Sequence, residues 1–199
     1  MKAEWVELNQ EWQSTQWVVN RYLSKNHSLK RHSQRVSSLC QSMGEVLELS
    51  EEEAAQLEKA ALLHDIGKAF IDDRIINKPD RLNEEEWVEV KGHPGKGFDI
   101  LCAFENMGMT ARLILAHHER WDGKGYPRGL KGEEIPRLTR IISIADTYDA
   151  MTSSRSYRKP LSKRKAIEEL RRNAGTQFDP DLVHIFVDKV IVGEIERVQ

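Results

Sequence analysis

The sequence predicts an all-α protein with one domain built as a helical bundle. Apolar residues recur at the three- and four-residue intervals of a helix along most of the 199 residues, and no segment shows the strict alternation of a half-buried strand. Capping residues and glycines divide the periodic stretches into separate helices. At about 100–200 residues per domain, the chain is long enough for one domain with a substantial core.

The composition excludes several classes of protein. Thirty Lys and Arg residues against 32 Asp and Glu residues give a net charge of −2, so no overall positive field attracts a nucleic acid polymer or an anionic membrane. Cys40 and Cys102 are far apart and have no metal-binding or redox spacing, which indicates a reducing compartment. We find no apolar run for membrane insertion and no signal peptide, so we expect a cytoplasmic protein.

Residues 1–27 are expected to form an amphipathic helical extension to a domain that comprises residues 28–199. Trp5, Leu8 and Trp12 recur at roughly helical intervals, and large aromatic side chains need an apolar surface to pack against. Packing on the domain is the favoured interpretation. Pairing with a second copy in a homodimer is the alternative.

The next helix is expected over about 29–49. Leu29, His32 and Val36 share one side of it, so His32 occupies a core position. A lone histidine on such a stripe is more often a hydrogen-bonded core residue than a metal ligand. The helix alone leaves both interpretations open.

Ser50 and Glu53 form a capping box that opens a helix ending near Gly67. Helical spacing directs His64 toward the core. Neighbouring residues on a helix lie about 100° apart, so His64 and Asp65 can converge on one point only beside the helix end. An imidazole and a carboxylate that meet there are suitable ligands for a divalent metal, and a core histidine bonded to its neighbour is the alternative.

A further histidine lies at a helix start. Asn83 and Glu86 cap a short helix, which is interrupted before Pro94. If helix resumes there, His93 points inward from the first turn. This histidine is also ambiguous when it is considered alone.

The helix expected over 110–118 ends in His117-His118 and is followed by a glycine-rich loop that reaches Pro127. The arrangement repeats that of the earlier His-Asp pair at a helix end. Two adjacent histidines at such a position favour metal binding or catalysis over packing.

Pro136 starts a helix whose inward stripe includes Asp146 and Asp149. An unpaired buried carboxylate costs several kcal/mol, so Asp146 requires a partner. Ser162 and Asp179 then cap the last two expected helices.

Seven residues of ligand type thus fall on inward faces or at helix ends. They are His32, His64, Asp65, His93, His117, His118 and Asp146. Such a set on separate helices fits a site in a bundle core for two hard or borderline metal ions that share a bridging carboxylate.

In their order along the chain, these residues resemble the HD-GYP family, a branch of the HD metal-dependent phosphohydrolases. The resemblance covers about residues 28–190 and is most specific from His117-His118-Glu119 through Asp122-Gly-Lys-Gly-Tyr-Pro127. It implies an all-α HD-type bundle that hydrolyses cyclic di-GMP to linear pGpG, and in some members on to GMP, in bacterial second-messenger signalling. A cyclic dinucleotide would be the substrate, and other signalling proteins would be the partners.

By position, the resemblance also implies roles for single residues. The seven ligand-type residues would bind two divalent ions, with Asp65 bridging them and with Asp65 and Lys68 acting in catalysis. Lys68 would also bind substrate, together with Tyr126, Arg155 and Arg158, which would hold the phosphates and the guanine base. Fe or Mn is expected ahead of Zn or Ni, because metal availability decides among ions that accept histidine and carboxylate ligands.

Two positions depart from the family pattern. Members with three metals carry a glutamate one helical turn before the first histidine, where this chain has Ser28. The serine predicts two metals and a reaction that stops mainly at pGpG. Ser154-Arg155-Ser156-Tyr157 stands where members commonly have Asp-Arg-Pro-Tyr, which loosens the loop but keeps the arginine.

Two other functions remain open at this point. A metal pair cannot select a base, so the enzyme could act on another cyclic dinucleotide or on a mononucleotide. The chain could also be a signalling module that binds ligands or proteins and whose metals are only structural.

Overall fold

The computed structural model describes residues 27–154 and 159–193, which are helical and contain no β-strand. The helices, in chain order, are α1 (His27–Val46), α2 (Glu51–Leu63), α3 (Asp73–Ile76), α4 (Glu84–Lys91), α5 (His93–Cys102), α6 (Gly108–Leu115), α7 (Arg137–Thr152), α8 (Lys163–Arg172) and α9 (Pro180–Ile185). Two 3₁₀ helices (Ile66–Phe70 and Gly132–Glu134) lie in connections, and a π-helical segment (Phe186–Ile191) continues α9. The expected all-α class is therefore confirmed.

Two groups of predictions lie outside the described residues. The expected N-terminal extension falls there except for His27, the first residue of α1, and so do Arg155 and Arg158. Within the described part of the chain, no helix combines the length and apolar character needed to cross a bilayer.

The hydrophobic core lies where α1 packs along α2 and α7. Val36 and Met43 of α1, Leu57 of α2, Ile142 of α7 and Phe186 are all at most 1% exposed. Burial of each such side chain contributes about 1.5–3 kcal/mol of transfer free energy. The three helices are thereby held in a fixed relation, and each of them carries or precedes residues of the expected metal site.

The helix starts follow the predicted capping pattern. Both predicted capping boxes are present, Ser50 with Glu53 at α2 and Asn83 with Glu86 at α4. The side chain of Asp179 accepts hydrogen bonds from two backbone N–H groups in the first turn of α9.

Gly67 has a role different from the predicted one. α2 ends at Leu63, and Gly67 lies inside the following 3₁₀ helix instead of terminating α2. A Cβ atom at Gly67 would lie 1.9 Å from the backbone oxygen of His93 and 2.7 Å from the backbone nitrogen of Gly97. The absence of a side chain thus lets the segment after α2 touch the start of α5, which brings His64-Asp65 next to His93.

Replacing Gly67 with alanine is expected to lower the free energy of unfolding by about 3 kcal/mol, because the new methyl group overlaps backbone atoms that cannot move independently. Gly95→Ala in α5 is the matched control, since a Cβ atom there has no neighbour within 4 Å. Urea denaturation of both variants measures the difference. Equal stability of the two variants would contradict this account of Gly67.

Candidate metal centre

The seven residues predicted as metal ligands lie in one cluster at the centre of the bundle. His32 comes from α1, His64 and Asp65 follow α2, His93 begins α5, His117 and His118 follow α6, and Asp146 comes from α7. Five of the seven are buried, whereas His118 and Asp146 are partly exposed. Since α6 ends at Leu115, earlier than expected, both of the histidines after it leave helical geometry and reach the cluster.

One half of the cluster is formed by His32, His64, Asp65 and Asp146. The Nε2 atom of His32 lies 3.1 Å from Oδ1 of Asp146 and 3.3 Å from Nε2 of His64. Ligand atoms of His32, His64 and Asp65 all lie within 4.8 Å of one another. This spacing suits three ligands of a single ion.

The other half is formed by His93, His117 and His118, whose ligand atoms also lie within 4.8 Å of one another. The Nε2 atoms of His93 and His117 are 3.2 Å apart. The ring centroid of His118 lies 4.0 Å from that of His117 and 5.0 Å from that of His93.

Asp65 lies between the two halves. Its Oδ2 atom is 3.5 Å from Nε2 of His64 and 3.8 Å from Nε2 of His32. Its Oδ1 atom is 3.2 Å from Nε2 of His93 and 3.9 Å from Nε2 of His117. One carboxylate therefore presents one oxygen to each half, which is the geometry of a bridging ligand.

Backbone hydrogen bonds fix the tautomers of three histidines. In His64, His93 and His117, Nδ1 lies 2.5–2.8 Å from the backbone oxygen of the residue three positions earlier and donates to it. The Nε2 atom of each ring then carries a lone pair, and that lone pair is directed into the cluster. The lone pairs of His93 and His117, whose Nε2 atoms are 3.2 Å apart, repel each other unless a cation or a proton lies between them.

His32 differs, because its Nδ1 atom bonds a carboxylate. Oδ2 of Asp149 lies 2.7 Å from that nitrogen, and Asp149 in turn accepts hydrogen bonds from Arg35 at 2.5 and 2.9 Å and from Ser153 at 3.0 Å. Burial raises the pKa of Asp149, but the hydrogen bonds from His32 and Arg35 lower it to about 2. Sequence reasoning put Asp149 on the inward face of α7 and gave it no role, although its position one turn after Asp146 was a usable signal.

The two central carboxylates stay ionised despite their burial. Burial raises the pKa of Asp65, but the Lys68 ammonium group, whose Nζ atom is 2.6 Å from Oδ2, and the nearby histidines hold it well below its usual value. For Asp146, burial is opposed first by the hydrogen bond to His32, and its pKa is also held well below the usual value. The cluster therefore contains two negative charges.

The histidines differ in charge. Burial lowers the pKa of His118 to about 3 and, helped by the neighbouring rings, holds that of His117 well below its usual value. For His32, burial is outweighed by its hydrogen bonds to Asp146 and Asp149, which raise its pKa to about 9. Without a bound ion, the proton on His32 is the cluster's own source of positive charge.

The residues present fit divalent metal ions. Oδ1 of Asp65 is buried and has no hydrogen-bond partner among the described residues, so it is an acceptor left for a cation. Neutral imidazole nitrogens and ionised carboxylates are the donors that Fe, Mn, Zn and Ni accept. Two ligand sets joined by one carboxylate can hold two such ions.

The glycine-rich loop is held against the cluster by close backbone contacts. A Cβ atom at Gly125 would lie 2.4 Å from the backbone nitrogen of Arg120, so only glycine fits there. The Tyr126 N–H group donates to the backbone oxygen of His118 at 3.2 Å, and the two rings pack with centroids 4.9 Å apart. The Tyr126-Pro127 peptide bond is cis.

Glu119 fastens the far end of this loop. Its buried carboxylate accepts hydrogen bonds from the backbone nitrogens of Arg128 at 2.6 Å and Leu130 at 3.1 Å. Glu119 lies within the motif, but the sequence pattern assigns it no function. The available signal is an acidic residue shortly before a glycine-rich loop, whose backbone N–H groups need acceptors.

A cavity of about 360 Å³ opens beside the cluster. Its inner wall includes His117, His118 and Asp146, and its outer wall includes Lys91, Lys124 and Tyr126. The cavity connects the cluster to solvent, so a ligand can reach the candidate ions.

Removing bound metal with a chelator is expected to lower the melting temperature, because an ion that binds only the folded chain stabilises it. At a metal concentration about 100 times the dissociation constant, the stabilisation is about 2.7 kcal/mol, or about 5–10 °C for a domain of this size. Differential scanning calorimetry with and without added Mn²⁺ measures the shift. A melting temperature that does not respond to chelator or metal would argue against the centre.

Asp149→Asn is expected to weaken metal binding about 10–100-fold, because the amide holds the ring of His32 less firmly and makes its Nε2 atom a poorer donor. Equilibrium titration with Mn²⁺ measures the affinity. Asp99→Asn, at an exposed position of α5, is the control. Equal affinities for Mn²⁺ in the two variants would contradict the role of Asp149 in supporting the metal site.

Comparison with known proteins shows similarity to a family and to individual relatives. The sequence profile of the HD domain family matches residues 18–182. A cyclic di-GMP phosphodiesterase of Thermotoga maritima is 42% identical over 79% of this chain and 43% of its own length. A 3'3'-cGAMP-specific phosphodiesterase (number 2) of Vibrio cholerae is 35% identical over 86% of this chain and 33% of its own length.

The fold is also found in solved structures. The crystal structure of the V. cholerae cyclic GMP-AMP specific phosphodiesterase V-cGAP3 superposes with a TM-score of 0.67 at 23% identity, over 87% of this chain and 47% of that one. The chain thus spans less than half the length of these relatives. Because the profile matches residues 18–182, the chain belongs to the HD domain family.

Proposed function

We propose that this protein is a metal-dependent phosphodiesterase that hydrolyses cyclic di-GMP, mainly to linear pGpG. The observation that carries the proposal is the position of Asp65, with one oxygen toward each set of histidines beside an open cavity. The T. maritima relative, which is named a cyclic di-GMP phosphodiesterase, supports the choice of substrate.

The proposed cofactors are two divalent ions, one in each half of the cluster, with Fe or Mn preferred. Bound ions of this kind supply Lewis-acid polarisation of a phosphodiester and an acidified water. The proposed ligands are the seven clustered residues, with Asp65 shared between the ions.

Lys68 is proposed to act on the substrate's phosphoryl oxygens. Its ammonium group contacts Asp65 at 2.6 Å and its side chain is about one-fifth exposed, so the ammonium group can donate a second hydrogen bond to an oxygen on which negative charge develops. Tyr126 would line the substrate's path. Arg155 and Arg158 are proposed to hold the phosphates and the guanine base.

The proposal of two ions, and not three, depends on Ser28. This residue lies one helical turn before His32 on α1 and is exposed. A hydroxyl group is a much weaker ligand than a carboxylate for a hard cation. A centre with two ions is therefore proposed to release pGpG faster than it cleaves it further.

A second candidate function is hydrolysis of 3'3'-cGAMP or another cyclic dinucleotide. The V. cholerae relative, 35% identical, is named as specific for 3'3'-cGAMP. Ions in the cluster would contact the phosphate and would make no contact with the base. The preference for one base over another would therefore depend on residues of the cavity wall. Protein partners in signalling and a homodimer remain part of the same proposal.

The test is incubation of anaerobically prepared protein, loaded with Fe²⁺ or Mn²⁺, with cyclic di-GMP, 3'3'-cGAMP and cyclic di-AMP, followed by chromatography of the products. Cyclic di-GMP is expected to give pGpG with little GMP. Asp65→Asn is expected to reduce turnover at least about 100-fold, because the shared ligand loses its charge. Asp99→Asn is the control.

Metal analysis of the same samples is expected to give two ions per chain. Three tightly bound ions or rapid release of GMP would contradict the proposed stoichiometry and product. Faster cleavage of 3'3'-cGAMP would favour the second candidate, and absence of turnover with every metal would favour a non-catalytic signalling module.

A further inference from the structure

Lys91 lies on the rim of the cavity, at the last residue of α4. Its Nζ atom is 5.6 Å from the ring centroid of Tyr126 and 5.8 Å from that of Trp87. Tyr126 also packs on His118, with ring centroids 4.9 Å apart. One aromatic ring therefore separates the Lys91 ammonium group from the candidate metal ligands.

The charge of Lys91 is available to an anion. Among the described residues, no carboxylate forms an ion pair with Lys91. Of the other cations near the cavity, Lys68 contacts Asp65 at the cluster and Arg120 makes two hydrogen bonds to Asp122. Lys124 also lines the cavity but has no aromatic ring beside its ammonium group among the described residues. An aromatic face attracts an ammonium group and fixes its position without neutralising it.

A cyclic dinucleotide brings two phosphodiester groups, which lie on opposite sides of one macrocycle. Only one phosphorus atom can occupy the metal cluster at a time. The second phosphate then lies outside the ligand set, along the cavity wall, where its negative charge needs a cation. Lys91 supplies an uncommitted cation on that wall, beside Tyr126.

We propose that Lys91 binds the second, uncleaved phosphate of the cyclic dinucleotide, and that Trp87 and Tyr126 hold its ammonium group in place. The proposal rests on the proposed function and adds a residue that determines preference for substrates with two phosphates. It also gives a role to Trp87, which is half exposed and lies four residues, about one helical turn, before Lys91 on α4.

The competing explanation is a solvated lysine that only complements the carboxyl end of α4. That explanation predicts that substitution of Lys91 lowers the stability of α4. It also predicts that the loss of kcat/KM is the same for substrates with one and with two phosphates. A comparison of two substrates therefore separates the explanations.

The experiment measures kcat and KM for cyclic di-GMP and for bis(4-nitrophenyl) phosphate, which has a single phosphodiester group. For Lys91→Gln, the loss of kcat/KM on cyclic di-GMP is expected to exceed the loss on bis(4-nitrophenyl) phosphate by about tenfold, mainly through KM, since a charged hydrogen bond is lost. Lys91→Arg is expected to recover most of the loss. Trp87→Leu is expected to lower kcat/KM on cyclic di-GMP about threefold, because the lysine is held less firmly.

Lys59→Gln, at an exposed position of α2, controls for removal of a positive charge. Equal losses on the two substrates, or no loss on either, would overturn the role of Lys91. A larger effect of Lys124→Gln than of Lys91→Gln would overturn it as well, because the second phosphate would then lie at the other lysine of the rim.

Failure of the proposed function is recognised separately. If wild-type protein cleaves bis(4-nitrophenyl) phosphate but no cyclic dinucleotide, cyclic di-GMP hydrolysis is wrong, and the variants are compared by calorimetric titration with cyclic di-GMP, cyclic di-AMP and 3'3'-cGAMP. An unchanged dissociation constant in Lys91→Gln, or the absence of binding by the wild type, would then overturn the role of Lys91.

Discussion

The burial of ionised carboxylates in the interior is the constraint on which this structure depends. Asp65 and Asp146 are ionised in the middle of a bundle, and the removal of each charge from water costs several kcal/mol. Lys68 and a proton on His32 balance the two charges when no ion is bound. Imidazole nitrogens face the same volume, and together with the carboxylates they form a set of donors that divalent ions accept.

The ends of helices allow the fold to gather these groups. Adjacent residues on a continuous helix diverge by about 100°, yet His64 and Asp65 both reach the cluster, and so do His117 and His118, because each pair follows the last residue of a helix. The close contact at Gly67 then brings the first pair against the start of α5. The hydrophobic core sets the distances between helices. Helix ends position five of the seven ligands, and the other two, His32 and Asp146, lie inside helices.

Much of the fold and the cluster could be predicted from the sequence, because helical periodicity, capping residues and motif order are local signals. The contacts that support the cluster could not be predicted from the sequence. Arg35 and Asp149 are 114 positions apart, and periodicity indicates that Asp149 faces inward without indicating what it meets. The prediction that Gly67 ends a helix was also wrong, because this glycine instead allows two backbone segments to approach closely. Contacts between segments that are distant in sequence depend on tertiary packing, which local sequence patterns do not specify.

The link between Tyr126 and His118 joins the glycine-rich loop to the cluster as one rigid piece, with Glu119 anchoring the loop's other end. Lys91 contacts this piece only through the ring of Tyr126, at 5.6 Å, and forms none of the hydrogen bonds that anchor the loop. Under the proposed function, its substitution changes the affinity for a ligand while the hydrogen bonds that position the buried donor atoms are kept. Under the proposed function, such an arrangement allows a lineage to change its substrate without rebuilding the cluster of metal ligands.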